Sequence, residues 1–118
     1  MIDAPGRLYH PKALRASMGA VFHAPVFPSE RAPAVAFVAA TGRPVAVLTP
    51  EGAAPLDVAP LDDGIVLVIG NERRGVNPAW RRIGTVDLTI PMVGFVDSLN
   101  AATSASIVLW EVLRRRTR

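Results

Sequence analysis

Two kinds of apolar pattern alternate along the 118 residues. Continuous apolar runs at Val45-Ala46-Val47-Leu48-Thr49 and Ile65 to Ile69 are short and rich in β-branched residues, which predicts strands buried in a parallel sheet and covered on both faces. Val86 to Ile90 alternates and is β-branched, so it reads as a third strand, which Pro91 must end. Helical spacing appears elsewhere. Ala13, Leu14, Ser17, Met18, Val21 and Phe22 predict a helix from Pro11 to about Phe22, with Pro11 in its first turn. Gly19 then falls inside that helix at a cost of about 1 kcal/mol against Ala, which close packing on the sheet would offset. After a Pro25 to Pro28 link, Ser29 is positioned to cap a helix from Glu30 to Thr41 that Gly42 stops. Asn77 and Pro78 open a short helix ending near Ile83. Residues 1–10 read as irregular, and residues 50–64 as a connection holding a short helical turn at most.

The last helix follows Asp97 or Ser98, either of which suits an N-terminal cap, and no breaker interrupts it. Leu99, Ala102, Ser106, Leu109 and Leu113 make one face and Ala101, Ala105, Val108 and Val112 the opposite one, so a sandwiched helix is expected. Val108, Trp110 and Val112 exceed what one sheet face covers, which predicts pairing of two copies through this helix. The order of elements is α/β: a mostly parallel sheet with helices on both faces.

Composition narrows the chemistry. Half of the residues are apolar and 19% charged, ordinary for a single globular domain. The absence of cysteine excludes disulfides and thiolate chemistry and removes the usual zinc ligands. The longest apolar run, Ala34 to Ala40, is too short to span a bilayer, and Asp3, Pro5 and Gly6 break the start before a signal peptide can form. The default location on these grounds is the cytoplasm. The net charge of +3 is carried by twelve Arg and one Lys, clustered at Arg73-Arg74, Arg81-Arg82 and Arg114 to Arg118. Such clusters suit phosphate contacts, and equally suit solvated faces and the negative end of the last helix. His10 and His23 have no partner pattern, and Trp80 and Trp110 sit at core or interface positions.

Two loops carry the functional signal. Val68-Ile69-Gly70-Asn71-Glu72-Arg73-Arg74-Gly75-Val76 follows a buried strand, the usual place for a ligand in an open α/β sheet, and matches neither a Walker loop nor a dinucleotide fingerprint. Ile90-Pro91-Met92, Gly94 and Ser98-Leu99-Asn100 join a strand end to a helix N-terminus, where free backbone N–H groups collect. By residue type alone, Glu72 also reads as a solvated turn residue, and Ser98 and Asn100 as helix-start residues. In order, the two stretches resemble the second and third signature motifs of the SpoU/TrmH RNA methyltransferases of the SPOUT superfamily. Lys12 to Phe22 is similar to a Pro-Lys-x-x-Arg-x-Ser-x-Gly-Ala stretch of the same family.

The resemblance implies a C-terminal trefoil knot, a homodimer formed through the last helix, and transfer of a methyl group from S-adenosylmethionine to a ribose 2′-hydroxyl of rRNA or tRNA. The implied partner is RNA, with no role for DNA or a membrane. It assigns Gly70, Asn71, Glu72, Ile90, Pro91, Met92, Leu99 and Asn100 to the cofactor, and Asn100, Ser98 and Glu72 to the catalytic site. Arg73 and Arg74 are assigned to RNA; Arg73 stands where the family commonly has Gly. The resemblance covers nearly all of the chain, read as one SpoU-type domain over residues 1–118. It also implies a preceding strand–helix unit with an Asn-x-Gly…Arg motif, whose Arg helps activate the hydroxyl and has no match here. Two alternatives stay beside it: a non-catalytic RNA- or S-adenosylmethionine-binding module, and an unrelated small α/β ligand-binding protein.

Overall fold

The computed structural model describes residues 1–118 except 4–6, 62–63, 72–73, 96–97 and 118. It divides into two units, Met1–Thr41 and Gly42–Arg118.

The first unit holds α1 (Pro11–Ala16), a 3-10 turn (Ala20–Phe22) and α2 (Arg31–Ala40). Pro11 opens α1, and the His10 ring caps it by accepting from the Lys12 N–H at 3.2 Å. The single helix expected over Pro11 to Phe22 is thus two pieces. Met18 (φ 48) and Gly19 (φ 86) turn left-handed between them. Gly19 therefore supplies a backbone angle rather than a close contact, because a Cβ there would meet nothing within 4 Å. Neither α1 nor α2 has a buried residue.

α2 begins one residue later than expected. Its N-cap is Glu30 without a side-chain bond, while the Ser29 hydroxyl donates to the Glu30 carbonyl. The capping carboxylate comes from Asp3, whose Oδ1 accepts from the Arg31 N–H at 3.0 Å and whose Oδ2 pairs with the Arg31 guanidinium. The chain start is held for this role: Ile2 bridges Ser29 in parallel, and the terminal ammonium donates to the Phe27 carbonyl at 2.8 Å.

The second unit is a four-stranded, all-parallel sheet in the order β2-β4-β1-β3. Its strands are β1 (Val45–Leu48), β2 (Ala54–Pro55), β3 (Val66–Ile69) and β4 (Val86–Thr89), with helices α3 (Pro78–Ile83) and α4 (Ala101–Arg116). Central β1 is buried at Val45, Ala46 and Val47. β3, expected to be covered on both faces, lies at a sheet edge and is half-buried throughout. The connection expected to hold a helical turn supplies the other edge, β2, where Pro55 withholds no ladder donor that the sheet needs.

Ala46, Leu88, Leu56, Ala59 and Leu61 form one core with Val108 and Val112 of α4, flanked by Leu48, Leu67, Val86 and Ile107. The opposite face of β1 meets α3, where a Cβ on Gly84 would come within 2.8 Å of a Val47 methyl. α4 is therefore not sandwiched. Ser104, Val108 and Val112 are buried, whereas Leu109, Trp110 and Leu113 are exposed. Trp80 of α3 belongs to the interior. None of the described helices is long and apolar enough to cross a membrane.

Candidate functional site

In a parallel sheet the C-terminal strand ends share one edge, and the register aligns Leu48 of β1 with Ile69 of β3 and Leu88 of β4. The chain leaves that edge in three loops. The first, Thr49-Pro50, is stitched to its neighbour: the Thr49 N–H donates to the Leu88 carbonyl at 2.9 Å, and the Thr89 hydroxyl to the Pro50 carbonyl at 3.0 Å.

The second runs from Gly70 to Gly75 and closes on itself, with the Gly75 N–H donating to the Asn71 carbonyl at 2.8 Å. Gly70 cannot carry a side chain there, since its Cβ would lie 2.4 Å from the Gly75 carbonyl carbon. The third loop runs from Ile90 to Asn100 and delivers the chain to α4. Asn100 is the N-cap of α4, its Oδ1 accepting from the N–H groups of Ala102 (2.8 Å) and Thr103 (3.4 Å). This corrects the expectation of a cap at Asp97 or Ser98; Asp97 lies outside the described residues.

These loops and α4 enclose a cleft of about 170 Å³. Leu48, Ile69, Ile90, Met92 and Leu99 give it apolar walls, and Gly70, Asn71, Gly75, Thr49, Ser98 and Ser104 contribute polar atoms or open backbone. Of the residues singled out from sequence, the cleft gathers Gly70, Asn71, Ile90, Met92, Ser98 and Leu99. Pro91 lies instead on an adjoining groove with Glu51 and Gly94. Asn100 stands at the rim in a structural role, and exposed Arg74 does not line the cleft. Glu72 and Arg73 lie outside the described residues.

Thr49, Pro50 and Ser104 were not anticipated. The position of Thr49 and Pro50 just after a buried parallel strand was the available signal. For Ser104 the signal was only its place among the small residues of the first turns of the last helix, which let a ligand come close. No described side chain lining the cleft is ionisable, and no described group of acidic, His or Cys residues is placed to hold a metal ion. The described lining can therefore bind and orient a partly apolar ligand; it contains no proton acceptor of its own.

Residues 2–110 match the SpoU rRNA Methylase family. The chain belongs to that family. It is 35% identical over 115 residues to the 23S rRNA (uridine(2479)-2'-O)-methyltransferase of Streptomyces viridochromogenes, covering 92% of this chain and 40% of that one. It is 29% identical to the 23S rRNA (guanosine(2553)-2'-O)-methyltransferase RlmP of Bacillus subtilis (strain 168), covering 93% and 44%. The crystal structure of the SpoU methyltransferase AviRb from S. viridochromogenes in complex with AdoMet superposes with a TM-score of 0.84 at 30% identity, covering 99% of this chain and 49% of that one. The chain thus spans less than half the length of these relatives.

The strongest electrostatic feature lies away from the cleft. Glu111 of α4 accepts from the guanidinium of Arg114 (2.6 and 2.8 Å) and from that of Arg115 (2.7 Å), which holds its carboxyl down at about 2. The same pairing raises Arg114. Arg115 also donates to the carbonyls of Ala59, Leu56 and Asp57 at 2.5, 2.7 and 2.9 Å. Some of the C-terminal Arg cluster therefore clamps α4 to the turn after β2.

Proposed function

We propose that the chain is the cofactor-binding portion of an RNA ribose 2′-O-methyltransferase and that the cleft holds S-adenosylmethionine. The observation that carries this reading is convergence: residues of both motifs, separated along the chain by α3 and β4, line one cleft at the carboxyl edge of a parallel sheet. The lining fits the group. Apolar walls at Leu48, Ile69, Ile90 and Leu99 suit the flat faces of a purine, and the tightly closed loop at Gly70 brings backbone rather than side chain to the ligand. Gly70, Asn71, Glu72, Ile90, Pro91, Met92, Leu99 and Asn100 are the residues assigned to hold it. When bound, the cofactor supplies a methyl group on a positively charged sulfur.

The protein's share is alignment of the acceptor hydroxyl and assistance in removing its proton. Ser98, which lines the cleft, is assigned to orient a hydroxyl, with Glu72 as its companion. Asn100 acts by fixing the start of α4. The resemblance assigns hydroxyl activation to an Arg that has no match among these 118 residues, so methyl transfer is proposed for the whole protein. Arg73 and Arg74, next to the cleft in sequence, are assigned to RNA phosphates of rRNA or tRNA. The C-terminal part of the chain is assigned to a trefoil knot. Of Val108, Trp110 and Val112, expected to meet a second copy, Val108 and Val112 are buried within the chain, so that contact is assigned to exposed Leu109, Trp110 and Leu113.

Titration calorimetry with S-adenosylhomocysteine tests the cofactor reading: the wild type releases heat and Leu99→Arg does not. Absence of heat at millimolar ligand, or equal binding by the variant, refutes it. Asn100, assigned to the catalytic site, has its Oδ1 committed to the α4 cap, which favours a second reading, a module that binds cofactor without catalysing. Transfer of labelled methyl to unmodified rRNA and tRNA, by this chain and by a version extended with the family's N-terminal unit, separates the two. Transfer by the extended version alone supports the first; transfer by neither supports the second.

A further inference from the structure

Thr49 and Ser104 are the buried polar side chains among the described residues, 6% and 8% exposed, and both line the cleft. They come from different elements. Thr49 follows the last residue of β1, and Ser104 occupies the fourth position of α4. Neither hydroxyl has a hydrogen-bond partner among the described residues, although those of Thr85, Thr89 and Ser106 each do. Every side-chain oxygen or nitrogen shut off from solvent is paired among the described residues. The two unpaired oxygens are therefore reachable, and what they reach is the cleft.

A folded chain gains nothing from leaving two hydroxyls unpaired in an apolar slot. In the ligand-free protein these hydroxyls meet only the water of the cleft and so add little to the fold, and Val or Ala would fill the same space. The arrangement is instead what a ligand-reading pair requires: two groups, each donor and acceptor, fixed by a strand end and a helix turn on the walls of one slot. We infer that Thr49 and Ser104 hydrogen-bond the polar edge of a purine nucleoside bound between the apolar walls, and so set which nucleosides the cleft accepts. This rests on the proposal that the cleft holds S-adenosylmethionine. An analogue lacking the matching edge would leave the hydroxyls unpaired in the complex, and such mismatches are rejected more strongly than lost apolar contacts.

The test pairs affinity with stability, because the inference predicts opposite signs. Thr49→Val and Ser104→Ala each weaken S-adenosylhomocysteine binding by roughly three- to tenfold in calorimetry, the equivalent of one hydrogen bond. Neither lowers the Tm of the ligand-free protein. Thr49→Ser, which keeps the hydroxyl, retains most of the affinity. Unchanged affinity in both variants overturns the inference and leaves the cofactor reading standing, because the wild type still binds. Affinity and Tm falling together also overturns it, since the hydroxyls would then support the fold. Loss of binding in Thr49→Ser equal to that in Thr49→Val does the same, by pointing to side-chain shape. A wild type that binds no S-adenosylhomocysteine overturns both readings.

Discussion

Gly70 and Gly75 bound the same loop for different physical reasons, and substituting each separates them. A Cβ on Gly70 would lie 2.4 Å from the carbonyl carbon of Gly75, 2.6 Å from its oxygen and 2.7 Å from the Val76 nitrogen. Ordinary contact begins near 3.4 Å, so Gly70→Ala must push the facing backbone segments about 1 Å away from each other, with no flexible side chain to absorb the change. Overpacking of that kind costs about 1–3 kcal/mol. For a domain of this size it lowers Tm by roughly 4–12 °C. The displaced atoms adjoin Asn71 and Ile69 on the cleft wall, so S-adenosylhomocysteine affinity falls at least about tenfold. Gly75 meets nothing within 4 Å, but its φ of 61° is left-handed. Gly75→Ala therefore costs backbone strain alone, about 1–2 kcal/mol, and Gly75→Asn less, because Asn tolerates that region. Scanning calorimetry and titration calorimetry on the three variants read both quantities. A Gly70→Ala protein with the wild-type Tm and affinity would refute the reasoning.

Three further outcomes are expected. Asn100→Ala removes the cap of α4 and costs about 1 kcal/mol in urea denaturation, whereas Asn100→Ser recovers most of it; equal stability of Ala and wild type would show that the cap is dispensable. Glu111 has its carboxyl depressed from 4.5 to about 2 by its hydrogen bonds to Arg114 and then Arg115, so its contribution is full above the unfolded value and is lost as pH falls through that interval. Urea midpoints measured across the interval should decline less steeply in Glu111→Gln. Leu113→Arg on the exposed side of α4 should yield a monomer by sedimentation where the wild type is a dimer; a monomeric wild type at micromolar concentration removes the assembly proposed above.

The elements legible in the sequence were those fixed by local chemistry. Val45 to Leu48 is apolar at every position and proved to be the central strand, and Asn77-Pro78 capped α3 as its residue types require. What failed did so where several local solutions compete. A 3-10 turn at Ala20–Phe22 prolongs spacing that looks helical, so the left-handed break at Met18 and Gly19 was invisible to periodicity. Asp97, Ser98 and Asn100 are all good caps within four residues, and propensity cannot choose among them. Leu99 facing the cleft and Asn100 bonding the α4 backbone decide it. The cleft itself was half legible. The motif residues named two of its walls, while Thr49 was marked only by its place after a buried strand and Ser104 only by its place among small residues, until the fold sets both on an apolar slot.

The arginines show how tertiary context redistributes what charge counting suggests. By sequence, Arg114 to Arg118 is the densest basic cluster and the obvious candidate for phosphate. In the fold Arg115 is committed to Glu111 and to three carbonyls of the turn after β2, and Arg114 to Glu111. Those carbonyls belong to an irregular segment next to a two-residue edge strand, where backbone acceptors lack ladder partners, and a guanidinium with five donors satisfies several at once. Releasing Arg115 to meet RNA would strand the carbonyls and free one end of α4, the helix whose other end walls the cleft. Favourable phosphate contacts must therefore come from charge that the fold leaves available. Arg74 is exposed beside the Gly70 loop, and Arg81 and Arg82 are exposed in the last turn of α3. Arg114 and Arg115 thus serve the cleft by holding α4 in place, and in the RNA-binding role proposed above the attraction for phosphate falls to the shorter clusters earlier in the chain.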